Sequence, residues 1–272
     1  MGTTSTNYLK LQNIETTEMT SLIIDIGNTN IVFGVATKET WIKIWRIQTD
    51  WAKTADEYEA IFRSLLGGSE VDYASISRTI LSSVVPSLVR PFKEMITRVF
   101  GNELLVVGPE MYNKLPVKVL NPYEIGTDLV ADATAVYINY GGPAMVIDFG
   151  TALTFTTVSK SGEILGVAIA PGLLTALKSL TGNTAQLHDV QLDAPPSVLG
   201  GNTVHAIQSG IVLGFAGLVD SIVSRTENEI GAKLKVVATG GLSFVLKDVS
   251  EKIEIVDENL TLNGLKYIAF NA

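Results

Sequence analysis

Two short stretches combine an aspartate with glycine and small amide or hydroxyl residues: Asp25-Ile26-Gly27-Asn28-Thr29-Asn30 and Asp148-Phe149-Gly150-Thr151-Ala152-Leu153-Thr154. Glycine lets a ligand come close to the backbone. The amides and hydroxyls can bond phosphate oxygens, and an aspartate at a strand end can hold magnesium through water. Each stretch follows an apolar run (Leu22 to Ile26; Met145 to Phe149) and leads into an alternating one (Ile31 to Ala36; Phe155 to Val158), so each is expected to be a hairpin turn. One such turn is ordinary hairpin chemistry. Two in matching contexts point to two halves gripping one nucleotide.

Two further segments add to this. Ala238-Thr239-Gly240-Gly241 follows Val236-Val237, and its two glycines mark a strand-to-helix turn where a flat ring can lie on bare backbone. Asn121-Pro122-Tyr123-Glu124-Ile125-Gly126-Thr127-Asp128 immediately precedes a helical pattern. On local sequence, Thr127 or Asp128 is a helix N-cap, with Asp132 favoured by the helix dipole. The sharper reading makes Asp128 a general base aimed into the cleft, because phosphoryl transfer to an alcohol needs an acceptor for the hydroxyl proton.

The elements that must position these residues repeat. Strands at 22–26, 31–36 and 41–47 are followed by a helix at 54–66, strand 79–84, helix 87–100 and strand 103–107. The scheme then recurs as a helix at 127–140, strands 144–149, 153–158 and 163–169, a helix after Pro171-Gly172, and a long helix from 203 to 228. Strand 235–239, a helix opening at 241, strand 253–256 and a helix at 260–269 complete it. This order predicts an α/β protein with mixed sheets in two lobes, residues 21–120 and 121–272, and a ligand cleft between them near the strand ends. Residues 1–20 read as a disordered extension, with Met19 as an alternative start. Residues 185–200 read as a loop bordering the cleft.

Composition excludes several classes of function. The 272 residues include no cysteine, so disulfides, thiolate metal sites and cysteine nucleophiles are ruled out. His188 and His205 are the only histidines, too few for a multi-histidine zinc centre. A net charge of -8 argues against nucleic-acid binding. No run is expected to reach the ~20 apolar residues that a membrane span requires. Met1-Gly2 with Thr6 fits a myristoylation pattern that many unrelated chains also satisfy. Gly172 to Ser179 has Leu177 where a P-loop requires glycine.

With these motifs in hand, the chain resembles the type III pantothenate kinases, members of the superfamily of acetate and sugar kinases, actin and heat-shock chaperone ATPases. The resemblance spans about residues 21 to 270. It also draws on Ala170-Pro171-Gly172 and on Gly201-Asn202-Thr203 through Ser209-Gly210. It implies two actin-like (ribonuclease H-like) lobes and ATP-dependent phosphorylation of pantothenate to 4'-phosphopantothenate, the first step of coenzyme A synthesis. It further implies a cytoplasmic homodimer that uses Mg2+ and a monovalent cation, K+ or NH4+. By position, Asp128 corresponds to the proton acceptor and Asp148 to the monovalent-cation ligand. Asp25 to Asn30 form the phosphate turn, with Asp25 also a metal ligand, and Thr151, Gly240 and Gly241 contact ATP. Gly126, Thr127, Asp128 and Thr203 line the acceptor pocket.

The chain departs from that pattern at the acceptor. Leu129 stands where an arginine often grips the substrate carboxylate, Val119 where an aromatic residue is common, and Gly201 where a lysine is common. Leucine cannot replace a charged fork. A kinase of the same fold acting on another small alcohol, and a non-catalytic ATP-binding regulator, therefore stay open. The joint presence of Asp25, Asp128, Asp148 and Thr151 favours catalysis.

Overall fold

The computed structural model describes residues 19–69, 71, 73–101, 104–181 and 190–272. Its strands are β1 (Thr20–Ile26), β2 (Asn30–Ala36), β3 (Trp41–Gln48), β4 (Ile76–Ser83), β5 (Leu104–Val106), β6 (Ala144–Phe149), β7 (Ala152–Val158), β8 (Ile164–Pro171), β9 (Lys235–Thr239) and β10 (Ile255–Val256). The helices are α1 (Ala55–Gly67), α2 (Pro86–Phe100), α3 (Pro109–Tyr112), α4 (Thr127–Tyr140), α5 (Leu173–Thr181), α6 (Thr203–Gln208), α7 (Gly214–Ile230), α8 (Ser243–Lys247) and α9 (Leu260–Asn271). The strands form two five-stranded mixed sheets, β3-β2-β1-β4-β5 and β10-β9-β6-β7-β8. The second repeats the first: each opens with two antiparallel hairpin pairings and continues with parallel ones.

Three cores separate five layers. On the outer face of the first sheet, Leu22, Ile24, Phe33 and Leu81 pack against Tyr58 and Phe62 of α1 and Phe92 of α2. Thr54 and Glu57 close a reciprocal capping box that fixes where α1 begins. The outer face of the second sheet buries Met145, Ile147, Phe155 and Val236 against α5 to α8. Between the sheets lie α4 and α9, covering Ile23 and Ile80 of one sheet and Val146 and Val237 of the other. A helix walled on two sides must be apolar around most of its circumference. Accordingly, Leu129 through Val136 of α4 are all buried, Asp132 and Thr134 included.

Thr20 already pairs in β1, so this strand begins two residues before the expected one. Residues 1–18, with the Met1-Gly2-Thr6 pattern, lie outside the described residues, as does His188. The long helix expected from 203 is interrupted by a π-helical segment at Ser209–Leu213. Thr203–Ile230 is nevertheless one 28-residue helical run whose most apolar stretch has a mean hydropathy of 1.7, so by length and composition alone it could cross a membrane, contrary to the expectation that no run would qualify. Its Ile207, Val212, Ala216, Val219 and Val223 belong to the second outer core, which accounts for the apolar composition.

Candidate active site

The two glycine turns are the hairpin turns β1–β2 and β6–β7, and the fold brings them together: Thr29 Oγ1 lies 2.7 Å from Thr151 Oγ1. The first turn is held by Gly27 N donating to Asn30 O at 2.9 Å, by Thr49 Oγ1 donating to Gly27 O at 2.7 Å, and by Thr49 N donating to Thr29 O at 2.9 Å. The second is held by Thr175 Oγ1 donating to Thr151 O at 2.7 Å. Asn28, Thr29, Asn30 and Thr151 are exposed at the mouth of the cleft, while Ile26 is buried beneath them.

Register aligns the polar residues in matching rows. On the first sheet, Ser82 of β4, Asp25 of β1, Val32 of β2 and Arg46 of β3 stand side by side. On the second, the row is Thr239 of β9, Asp148 of β6, Thr154 of β7 and Ile169 of β8. Paired residues share a face. Val32 and Val146 put that face toward the central layer, where α4 starts. Ser82 Oγ sits 2.9 Å from Thr127 Oγ1, tying β4 to the first turn of α4. The N-cap is Gly126 rather than Thr127 or Asp128, and Asp128 Oδ1 instead accepts from Leu129 N at 2.8 Å. Gly240 has φ +88°, and a side-chain carbon there would lie 2.6 Å from Asp148 Oδ1, so this turn admits only glycine beside the carboxylate. Gly241 next to it is exposed.

The site is rich in carboxylates that repel one another. Burial pushes Asp25 up to about 7, with the charges of Asp128 and Asp148 adding to it and the Ser82 hydrogen bond opposing it. Asp148 also rises to about 7, through burial and then the charge of Asp128. Burial raises Asp128, against the pull of its bond from Leu129 N. Asp132, fully buried one turn along α4, is raised by burial and then by Asp148; its Oδ1 accepts from Thr261 Oγ1 of α9 at 2.6 Å, while Oδ2 has no partner among the described residues.

Such a cluster suits a hard cation. Among the described residues no three His, Cys, Asp or Glu side chains converge as a metal cage. The donor set therefore fits an ion that keeps waters and phosphate oxygens in its shell, as Mg2+ does, and Asp25 and Asp148 are the carboxylates that would hold it.

Other expected site residues divide. Leu129 is buried in α4, and Val119 is half-buried against the central core. Gly126, Thr127 and Asp128 lie together at the head of α4. Thr203 opens α6, capped by Asn202, whose Oδ1 accepts from His205 N at 2.9 Å. Ile207 of α6 belongs to the outer core of the second sheet, on the far side of that sheet from α4. Sequence reasoning missed Ser82, Arg46 and the buried pairing of Asp132 with Thr261. A strand serine or arginine carries no motif, and only register reveals what it faces.

Paired five-stranded mixed sheets whose glycine turns meet beside a carboxylate cluster have the architecture of the actin-like ATPase fold. Solved structures with the same architecture include a conserved Baf-family protein from Campylobacter jejuni (TM-score 0.58, 19% identity, covering 91% of this chain and 96% of that one). Another is the activator of the 2-hydroxyisocaproyl-CoA dehydratase from Clostridium difficile with bound ADPNP (TM-score 0.54, 14% identity, covering 93% and 94%). The profile of the type III pantothenate kinase family matches residues 21–225. The type III pantothenate kinase of Moorella thermoacetica is 44% identical over 247 residues, covering 91% of this chain and 97% of the relative. That of Exiguobacterium sibiricum is 40% identical over the same coverage. The chain belongs to the type III pantothenate kinase family.

Proposed function

We propose that this chain transfers the γ-phosphoryl group of ATP to the hydroxyl of pantothenate in the cytoplasm, giving 4'-phosphopantothenate for coenzyme A synthesis. The observation that carries the reading is the 2.7 Å approach of Thr29 to Thr151, which closes two phosphate turns on one point beside Asp25, Asp128 and Asp148. In the transfer, the bond from the γ-phosphorus to the ADP oxygen breaks and a bond to the acceptor oxygen forms. The hydroxyl proton passes to Asp128, and ADP leaves with the bridging oxygen. Asp25 and Asp148 would hold Mg2+ and a monovalent cation, K+ or NH4+, which would neutralise phosphate charge. Gly240 and Gly241 offer bare backbone to the nucleotide. Incubation with ATP and Mg2+, with and without K+, against a panel of alcohols that includes pantothenate tests this directly. ATP consumption with some other alcohol but not with pantothenate would overturn the choice of acceptor.

One observation favours keeping a second acceptor in that panel. Leu129 is buried immediately after Asp128 and carries no charge to meet a carboxylate. If pantothenate is the acceptor, Leu129→Arg tightens its binding about 10-fold or more, the scale of a hydrogen bond to a charged group, and leaves ATP affinity unchanged. Calorimetric titration of both proteins reads the difference. Weaker pantothenate binding in the variant would mean that the carboxylate already has another anchor.

The active unit we propose is a homodimer. β8 is an edge strand that exposes Leu165, Val167 and Ile169. Beside it runs the segment leading to Asp128, joined through Ile164 N donating to Lys118 O at 3.0 Å and exposing Leu120 and Tyr123. An apolar face of this kind on an edge strand calls for a cover. The occupant we propose for this face is a second copy of the chain, lying beside the segment that leads to Asp128. Light scattering at micromolar concentration is expected to give twice the chain mass. A monomer with full activity would end this proposal.

A further inference from the structure

Arg46 lies outside every motif of the chain, yet it stands in the same row as Asp25, one strand beyond Val32. Two strand spacings put their backbones ~10 Å apart on a shared face, and an arginine's apolar stem carries its fork across much of that gap. Its strand is anchored to the phosphate turn: Thr49, just beyond the end of β3, donates to Gly27 O at 2.7 Å and to Thr29 O at 2.9 Å. Among the described residues no carboxylate lies within ion-pair distance of its exposed guanidinium, whereas Lys53 nearby is already bound to Asp50 at 2.6 Å. On the β4 side of Asp25 stand Ser82 and, 2.9 Å from its hydroxyl, Thr127, which precedes Asp128 at the head of α4; on the other side, beyond Val32, stands Arg46 of β3.

We propose that Arg46 contacts the terminal phosphoryl group of the nucleotide, opposite Asp128, and neutralises its charge during transfer. This inference rests on the phosphotransferase reading above. A phosphoryl group seated on the first turn has the proton acceptor on one side and the guanidinium on the other, and so gains a planar fork of donors where charge is spread over its oxygens.

The test compares MgATP with MgADP binding by calorimetry in wild type, Arg46→Gln and Arg46→Lys, with melting curves to verify folding. Arg46→Gln is expected to lose ATP affinity about 10- to 100-fold while ADP affinity stays put, with Arg46→Lys in between. In the transfer assay, kcat should fall about 10²- to 10³-fold with the acceptor KM unchanged. Equal losses for ATP and ADP, no loss, or a rise confined to the acceptor KM would each overturn the assignment. So would a wild type that binds neither nucleotide. If wild type binds ATP but phosphorylates no pantothenate, the acceptor reading fails while the ATP–ADP comparison still decides Arg46.

Discussion

Asp128→Asn is expected to lower phosphoryl transfer by about 10²- to 10⁴-fold, the usual contribution of a positioned general base. An amide cannot take the hydroxyl proton. The substitution leaves the scaffold in place, because Asn can still accept the 2.8 Å bond from Leu129 N, and Ser82 still meets Thr127. It also removes a negative charge that raises both Asp25 and Asp148. ATP affinity should therefore hold or improve in the variant, since one repulsive carboxylate is gone from beside the phosphates. Steady-state turnover and nucleotide titration on the same preparation separate the two effects. Near-normal turnover would remove Asp128 from the chemistry, and lost ATP binding would make it a structural residue.

Much of this site was legible in the sequence because its parts are local. Asp25 and Asp148 each end an apolar run, a turn of small residues follows, and alternation resumes, so hairpin and turn chemistry sit within a dozen residues. What was not legible is non-local. Periodicity says that α9 has an apolar face, but not that this face lies on β1 and β4, far back in the chain. Asp132 looked like a dipole-favoured residue near the start of a helix. It proved fully buried because α4 is walled by two sheets, and its partner Thr261 comes from α9. Arg46 and Ser82 acquire meaning only once register sets them beside Asp25. The π segment at Ser209–Leu213 has no sequence signal that we can name.

The contact between α4 and α9 yields the second large effect. Gly264 of α9 faces Ala131 so closely that a side-chain carbon there would lie 2.0 Å from the Ala131 carbonyl oxygen and 2.6 Å from its carbon. Two terms compete in Gly264→Ala. Alanine is favoured over glycine inside a helix by up to ~1 kcal/mol. Against that, the obstructing atoms are backbone in the middle of another buried helix, not a side-chain tip that can swing away, and overpacking of this kind costs about 1–3 kcal/mol or more. The steric term should win. Melting temperature is then expected to fall by several degrees, at about 2–4 °C per kcal/mol for a protein of this size. The consequence reaches the site, because Ala131 sits between Asp128 and Asp132 on α4. A helix pushed off α9 displaces both carboxylates and strains the Thr261–Asp132 hydrogen bond. Turnover should therefore fall at temperatures well below the new melting point, where the variant is still folded. A variant as stable and as active as wild type would mean that the two helices are not in the tight contact described. One that is destabilised yet fully active when folded would mean that α4 holds Asp128 without help from α9.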